Sequence, residues 1–178
     1  MPKKAPNAKA IFLVKNLSYR RKNSYNVMRM QQPKDIEISE IDTTGPLYVE
    51  ACQLRYDLLR VPLGITHQDA EKFDFEKDAR HWVALNEGRV VGCVLLYVNP
   101  SKEGKLFQMV VAEDHQGKGI GVMLVNALEN AARQQHLEEI QLHSRLVALN
   151  FYRKLGYKAY GPIFAEVGIP HRRMFKVI

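Results

Sequence analysis

The chain has two cysteines, Cys52 and Cys93, and a single tryptophan among its 178 residues. Two thiols so far apart in sequence, each in apolar surroundings, exclude a disulfide-stapled scaffold; they read as buried free thiols of a reducing compartment. There is no C-x-x-C pair, no H-E-x-x-H and no histidine cluster, so a metal site has no support. Long apolar runs are also missing. The longest, Val90 to Val98, is strand-sized and too short for a membrane span, so the expectation is a cytoplasmic protein without membrane contact. Acidic residues are absent from positions 1–34, which carry nine Lys or Arg. The formal charge of +7 therefore belongs to that segment, because residues 35–178 hold 17 basic and 19 acidic groups. A domain with that balance and no recognisable motif is not expected to bind nucleic acid. Residues 1–34 are expected to be a basic, disordered tail; a transit peptide, or a true start at Met28 or Met30, are the other readings.

What is present is one domain's worth of regular pattern over 35–178. Ile36, Ile38 and Ile41 mark a first strand, and Thr43-Thr44-Gly45-Pro46 supplies a cap and a proline for a helix over Leu47–Arg60. A short helix around Gln68–Phe73 is expected next. His81–Leu85 and Arg89–Val98 flank Asn86-Glu87-Gly88 as a hairpin, and Lys105–Val111 forms the following strand. A helix from about Gly119 to Gln135 puts Ile120, Leu124, Ala127, Leu128 and Ala131 on one face. A strand at Glu139–His143, a helix near Leu146–Leu155 ending at Gly156, and two strands within 157–178 complete the order. The fold class is α/β: a mostly antiparallel sheet of six to seven strands, flanked by about four helices, turning parallel around the Gly119 helix.

The richest stretch is the strand ending at Val111, followed by Gln116-Gly117-Lys118-Gly119-Ile120-Gly121 and the helix. Such a turn aims unpaired backbone N–H groups at one point beside a positive helix end, which makes an anion site suited to phosphate. A Walker A loop is excluded because Lys118 precedes Gly119 and no Ser or Thr follows it. A Rossmann fingerprint is excluded because the glycines are spaced two and two. The pattern [RQ]-x-x-G-x-[GA] fits residues 116–121 fully.

With that motif, the strand Leu106–Val111, and the later segment Ala148-Leu149-Asn150-Phe151-Tyr152-Arg153-Lys154-Leu155-Gly156-Tyr157, the chain resembles the GNAT superfamily of acetyl-CoA-dependent N-acetyltransferases over residues 35–178. The resemblance implies a GNAT-like fold, acetyl-CoA as acyl donor and no metal. It also implies a cofactor site made of Met109, Val110, Val111, Gln116, Gly117, Lys118, Gly119, Ile120, Gly121 and Asn150. Tyr152 matches the family tyrosine that protonates the leaving thiolate. Arg145 stands where many relatives have a cofactor-contacting Asn, and either meets a phosphate or points into solvent.

Many relatives place a general-base Glu on the strand that here reads Leu106-Phe107-Gln108-Met109, so the base is left among Glu103, His143, Glu166, His171 and water. Arg55, Tyr56, Arg60, Glu166, His171 and Arg172 are the polar candidates for the acceptor side. The expected activity is acetyl transfer to a primary amine of a small molecule or protein by direct attack on the thioester, in a monomer or homodimer. A non-catalytic acyl-CoA sensor is the alternative.

Overall fold

This computed structural model describes residues 35–67 and 73–178. The basic segment 1–34, and all but Phe73 of the helix expected at 68–73, lie outside the described residues. Among the described residues there are seven strands and three α-helices: β1 (Ile36–Ile41), α1 (Pro46–Leu59), β2 (Arg80–Asn86), β3 (Arg89–Val98), β4 (Gly104–Val111), α2 (Ile120–Gln134), β5 (Glu139–Arg145), α3 (Leu149–Lys154), β6 (Lys158–Glu166) and β7 (Ile169–Val177). They form one sheet in the order β1-β2-β3-β4-β5-β7-β6. Every neighbouring pair is antiparallel except β4 and β5, which run parallel.

Local chemistry explains most boundaries. Glu87 and Gly88 both have positive φ, at 50° and 76°, so β2 and β3 join through a two-residue turn rather than the three-residue turn read from Asn86-Glu87-Gly88. The start of α1 also differs from the sequence reading. Gly45 is the N-cap and no side chain caps the helix. Instead Asp42 accepts bonds from the Thr44 amide (2.8 Å), the Thr44 hydroxyl (2.6 Å) and the Gly45 amide (3.1 Å), shaping the turn ahead of Pro46.

β3 is buried continuously from Val91 to Leu96 because helices cover both faces of the sheet. On one face Trp82, Val94 and Leu96 join Leu124, Leu128 and Ala132 of α2. On the other, Val83, Cys93 and Val110 pack with Ala51 of α1. Glu129 of α2 is 3% exposed, yet it accepts two bonds from Lys176 of β7 (2.8 and 2.7 Å) and one from Arg133 (3.2 Å). A buried carboxylate held by two cations ties α2 to the sheet and is costly to break from one side.

His81 is also buried. Its Nε2–H donates to the Glu76 carbonyl at 2.8 Å, and its ring meets Tyr48 edge-on. Burial holds its pKa below the ordinary value, helped by repulsion from Arg55 and opposed by Glu76. The folded pKa therefore lies below the unfolded one, so the unfolded chain binds the proton first as pH falls. The stabilisation is complete above about pH 6.5 and is lost as pH drops through the folded value. The unfolding free energy from urea titration should fall between pH 7 and 5, by at most about 1.4 kcal/mol per pH unit for this group, and the slope should flatten in His81→Gln. An unchanged slope in that variant would assign the effect elsewhere.

Candidate active site

β4 and β5 pair only at Gly104–Ile140, Lys105–Gln141 and Leu106–Leu142. Beyond this joint the two strands part, leaving β4 residues 107–111 without a β5 partner. The separation coincides with a bulge on the other edge of β4. Phe107 faces Leu95 and Val110 faces Cys93, so Gln108 and Met109 together oppose the single residue Val94. Gln108 takes φ +50°, a left-handed conformation uncommon for a side-chain-bearing residue. The buried Cys93 thiol lies 3.7 Å from the Gln108 carbonyl as a weak donor; burial pushes its pKa to about 12, so the proton stays on sulfur. The result is a wedge-shaped opening with exposed backbone amides on one wall.

The glycine turn stands at the end of that wall. Gly117 and Gly119 take φ of 73° and 84°, where a Cβ is disfavoured, and nothing lies within 4 Å of the place a Gly117 side chain would fill. Gly119 is the N-cap of α2, and no side chain caps the helix, so its first amides are open to an outside acceptor. Gln116 is exposed and donates to the Val111 carbonyl at 3.0 Å, strapping the turn to β4. His115 bonds Asn86 (3.0 Å) and Asp114 (2.7 Å), which anchors the turn to the β2–β3 hairpin. Lys118 is exposed, whereas Ile120 and Val110 are core side chains that offer the site only their backbone.

Gly121 has a different reason to be small. A Cβ there would lie 2.7 Å from Met109 Cε and 3.2 Å from Phe151 Cζ. The missing side chain is the slot in which β4, α2 and α3 meet, and it seats Phe151, the chain neighbour of Tyr152, against Gly121. Tyr152 is 6% exposed and is held edge-to-face between Phe151 (5.0 Å) and Tyr157 (5.7 Å). Burial raises its phenol pKa well above the ordinary value, so it carries its proton at neutral pH. Asn150 is exposed on α3 and accepts a bond from Arg153 at 3.3 Å. Arg145 is half-buried rather than pointing freely into solvent, and its Nη2 donates to the Leu59 carbonyl at 3.1 Å.

A pocket of about 270 Å³ opens between α1, the 3-10 turn Asp74–Asp78 and the β4 bulge, with Cys52, Arg55, Tyr56, Arg60, Glu76 and Gln108 in its wall. Arg55 is not a helix-surface residue: it is 7% exposed, with Nη2 paired to Glu76 and 2.9 Å from the Cys52 sulfur. Cys52 is accordingly only half-buried and in polar company, unlike the apolar setting read from sequence. Glu76 and Gln108 were not legible as site residues, although the strand of Gln108 was singled out by Met109, Val110 and Val111 and by its lack of an acid.

The base candidates separate clearly. Glu103 precedes the closed end of the wedge and is bonded to Asn99. His171 is buried and bonded to the Ile169 carbonyl (3.0 Å) within its own hairpin. His143 is the first β5 residue past the joint, on the face of Phe107 by register, and contacts Glu166 at 2.5 Å. Burial, Lys105 and Arg173 lower its pKa against the opposing pull of Glu166. Arg172 lies on β7 with an unpartnered buried Nε, outside the pocket wall. Among the described residues no His, Cys, Asp or Glu cluster fits a metal ion, and no helix is long and apolar enough to cross a membrane.

A mostly antiparallel sheet opened at its one parallel joint, beside a glycine-rich helix start, is an acetyltransferase architecture. Residues 49–157, more than half of the chain, match the Acetyltransferase (GNAT) family, and the chain belongs to it. An uncharacterized acetyltransferase of Streptococcus pyogenes serotype M1 is 32% identical over 101 residues, covering 56% of this chain and 71% of that relative. Escherichia coli ElaA has the same fold with a TM-score of 0.68 at 19% identity, over 79% of this chain and 99% of its own. An acyl-CoA N-acyltransferase from Pseudomonas aeruginosa gives a TM-score of 0.68 at 20% identity, over 80% and 99%.

Proposed function

We propose that residues 35–178 form a catalytic domain that transfers an acetyl group from acetyl-CoA to a primary amine by direct attack on the thioester. The observation that carries this reading is the loss of β4–β5 pairing beyond Leu106 and Leu142, next to the glycine turn. The residues fit the donor. The open amides of Gly117 to Gly121 suit its pyrophosphate. The β5-facing edge of Met109, Val110 and Val111, which has no β5 partner, suits the amide-bearing pantetheine arm, much as a sheet edge accepts an added strand.

Attack by the amine nitrogen forms the new C–N bond, and the C–S bond breaks. Tyr152 gives its proton to the departing sulfur. Its raised pKa is no obstacle, because the desolvation that raises a phenol raises a thiol in the same cleft as well. His143 takes the amine proton: with Nδ1–H donated to Glu166, Nε2 is left as an acceptor, and its lowered pKa keeps it neutral.

Tyr152→Phe should lower kcat by ~10²-fold with the KM for acetyl-CoA nearly unchanged, measured as thiol release with an accepted amine. Unchanged turnover would remove Tyr152 from the mechanism. Acetyl-CoA binding without turnover across a broad amine panel would favour the acyl-CoA sensor instead.

A further inference from the structure

The pocket beside the β4 bulge contains a cation with an unfilled valence. Arg55 is held by Glu76 and Cys52 through Nη2, while Nη1 is buried with no hydrogen-bond partner among the described residues, and Glu76 Oε1 has only its ion-pair contact with that Nη2. A guanidinium presents donors in a planar fork and binds a carboxylate through two of them. Buried donors without partners are rare in native proteins, and this one belongs to a side chain that lines the pocket. The wall also carries Arg60, so its charged groups are two cations against Glu76 alone, which favours an anionic guest. The volume of 270 Å³ is roughly the share of nine waters, enough for a metabolite and small for a folded partner. Gln108, at the bulge, lines the same pocket, so one end of a guest held at Arg55 has its other end at the opening of the wedge.

We infer that the acceptor is a small amine bearing a carboxylate, of amino-acid size, whose carboxylate binds Arg55 while its amine is presented at the Gln108 bulge. This rests on the acetyltransferase reading above and specifies the substrate class of that site. Arg55 is here a binding residue, and it discriminates by the same logic that lets any buried polar group reject an analogue lacking its partner.

The test compares amino acids with the matching amines that lack the carboxylate, and with the amino-acid amides, on the full chain with acetyl-CoA. The expected result is a kcat/KM higher by about 30-fold or more for the best carboxylated acceptor than for its two analogues. Arg55→Lys, which keeps the charge but not the fork, should raise the acceptor KM by ~10-fold or more, leave kcat and the acetyl-CoA KM within about twofold, and cut the preference for the carboxylate by the same factor. Equal losses for carboxylated and decarboxylated amines would make Arg55 structural and overturn the proposal, as would a wild-type preference for amides or for lysine peptides.

If no amine is acetylated, calorimetric titration of the same amino acids and amides into acetyl-CoA-loaded protein separates the two readings. Binding of the acid but not the amide, lost in Arg55→Lys, supports the carboxylate site while the transferase reading fails. Absence of that binding overturns the proposal itself.

Discussion

Gly119→Asp is expected to abolish useful acetyl-CoA binding while leaving the protein folded. The residue has φ +84° and forms the N-cap of α2. Aspartate and asparagine are among the side chains that best tolerate the left-handed region, so the conformational cost is modest and shared by both. Their difference is charge. A carboxylate about 4 Å from one phosphate charge costs ~4 kcal/mol at the effective dielectric of a protein surface, which corresponds to a loss on the order of 10³-fold. Gly119→Asn is the control, and calorimetric titration with acetyl-CoA should show it binding far more tightly than Gly119→Asp. Equal affinities for the two variants would mean that the phosphates sit elsewhere.

The second large effect falls on stability. Leu128 is fully buried within the cluster that joins α2 to the sheet. Leu128→Ala removes the transfer energy of three carbons and leaves a cavity among neighbours already fixed by the Glu129–Lys176 ion pair, so little collapse is available. A loss of about 3–4 kcal/mol is expected, lowering Tm by roughly 10 °C in a domain of this size. Val147→Ala is the comparison: its side chain is 92% exposed, and the change should stay within about 0.5 kcal/mol. Denaturant titration with a common slope checks both. Comparable midpoints for the two variants would show that α2 is not part of the cooperative core.

These contrasts show which features a sequence reader can reach. The β2–β3 hairpin and the helix after the glycine turn were legible because each depends on local rules: turn chemistry, alternation and a 3.6-residue period. The turn's glycines were legible for the same reason, since φ of 73° and 84° asks for that residue type. Gln108 was not. Its left-handed conformation follows from a register mismatch between β3 and β4, a tertiary condition that leaves no mark on residue choice. Arg55 stood out only as one of six polar candidates for the acceptor side, and its burial was not legible because arginine rarely goes inside unpaired. What carries it inside is Glu76, from a segment whose pattern gives no hint of where it docks. Asp42 escaped notice as well, because the first helix is started by a side chain three residues before its N-cap.

The opening between β4 and β5 also bears on what the molecule avoids. Unpaired strand backbone is usually found at a sheet's rim, where another chain can add to it and begin aggregation. Here the unpaired row lies in the middle of the sheet, between β4 and β5, while the rims are β1 and β6. The opening is closed at one end by three residue pairs and bounded by a strand on each side, so it is not a free edge along which a second chain can pair. The protein thus keeps reactive backbone available to a ligand without offering it to its own neighbours.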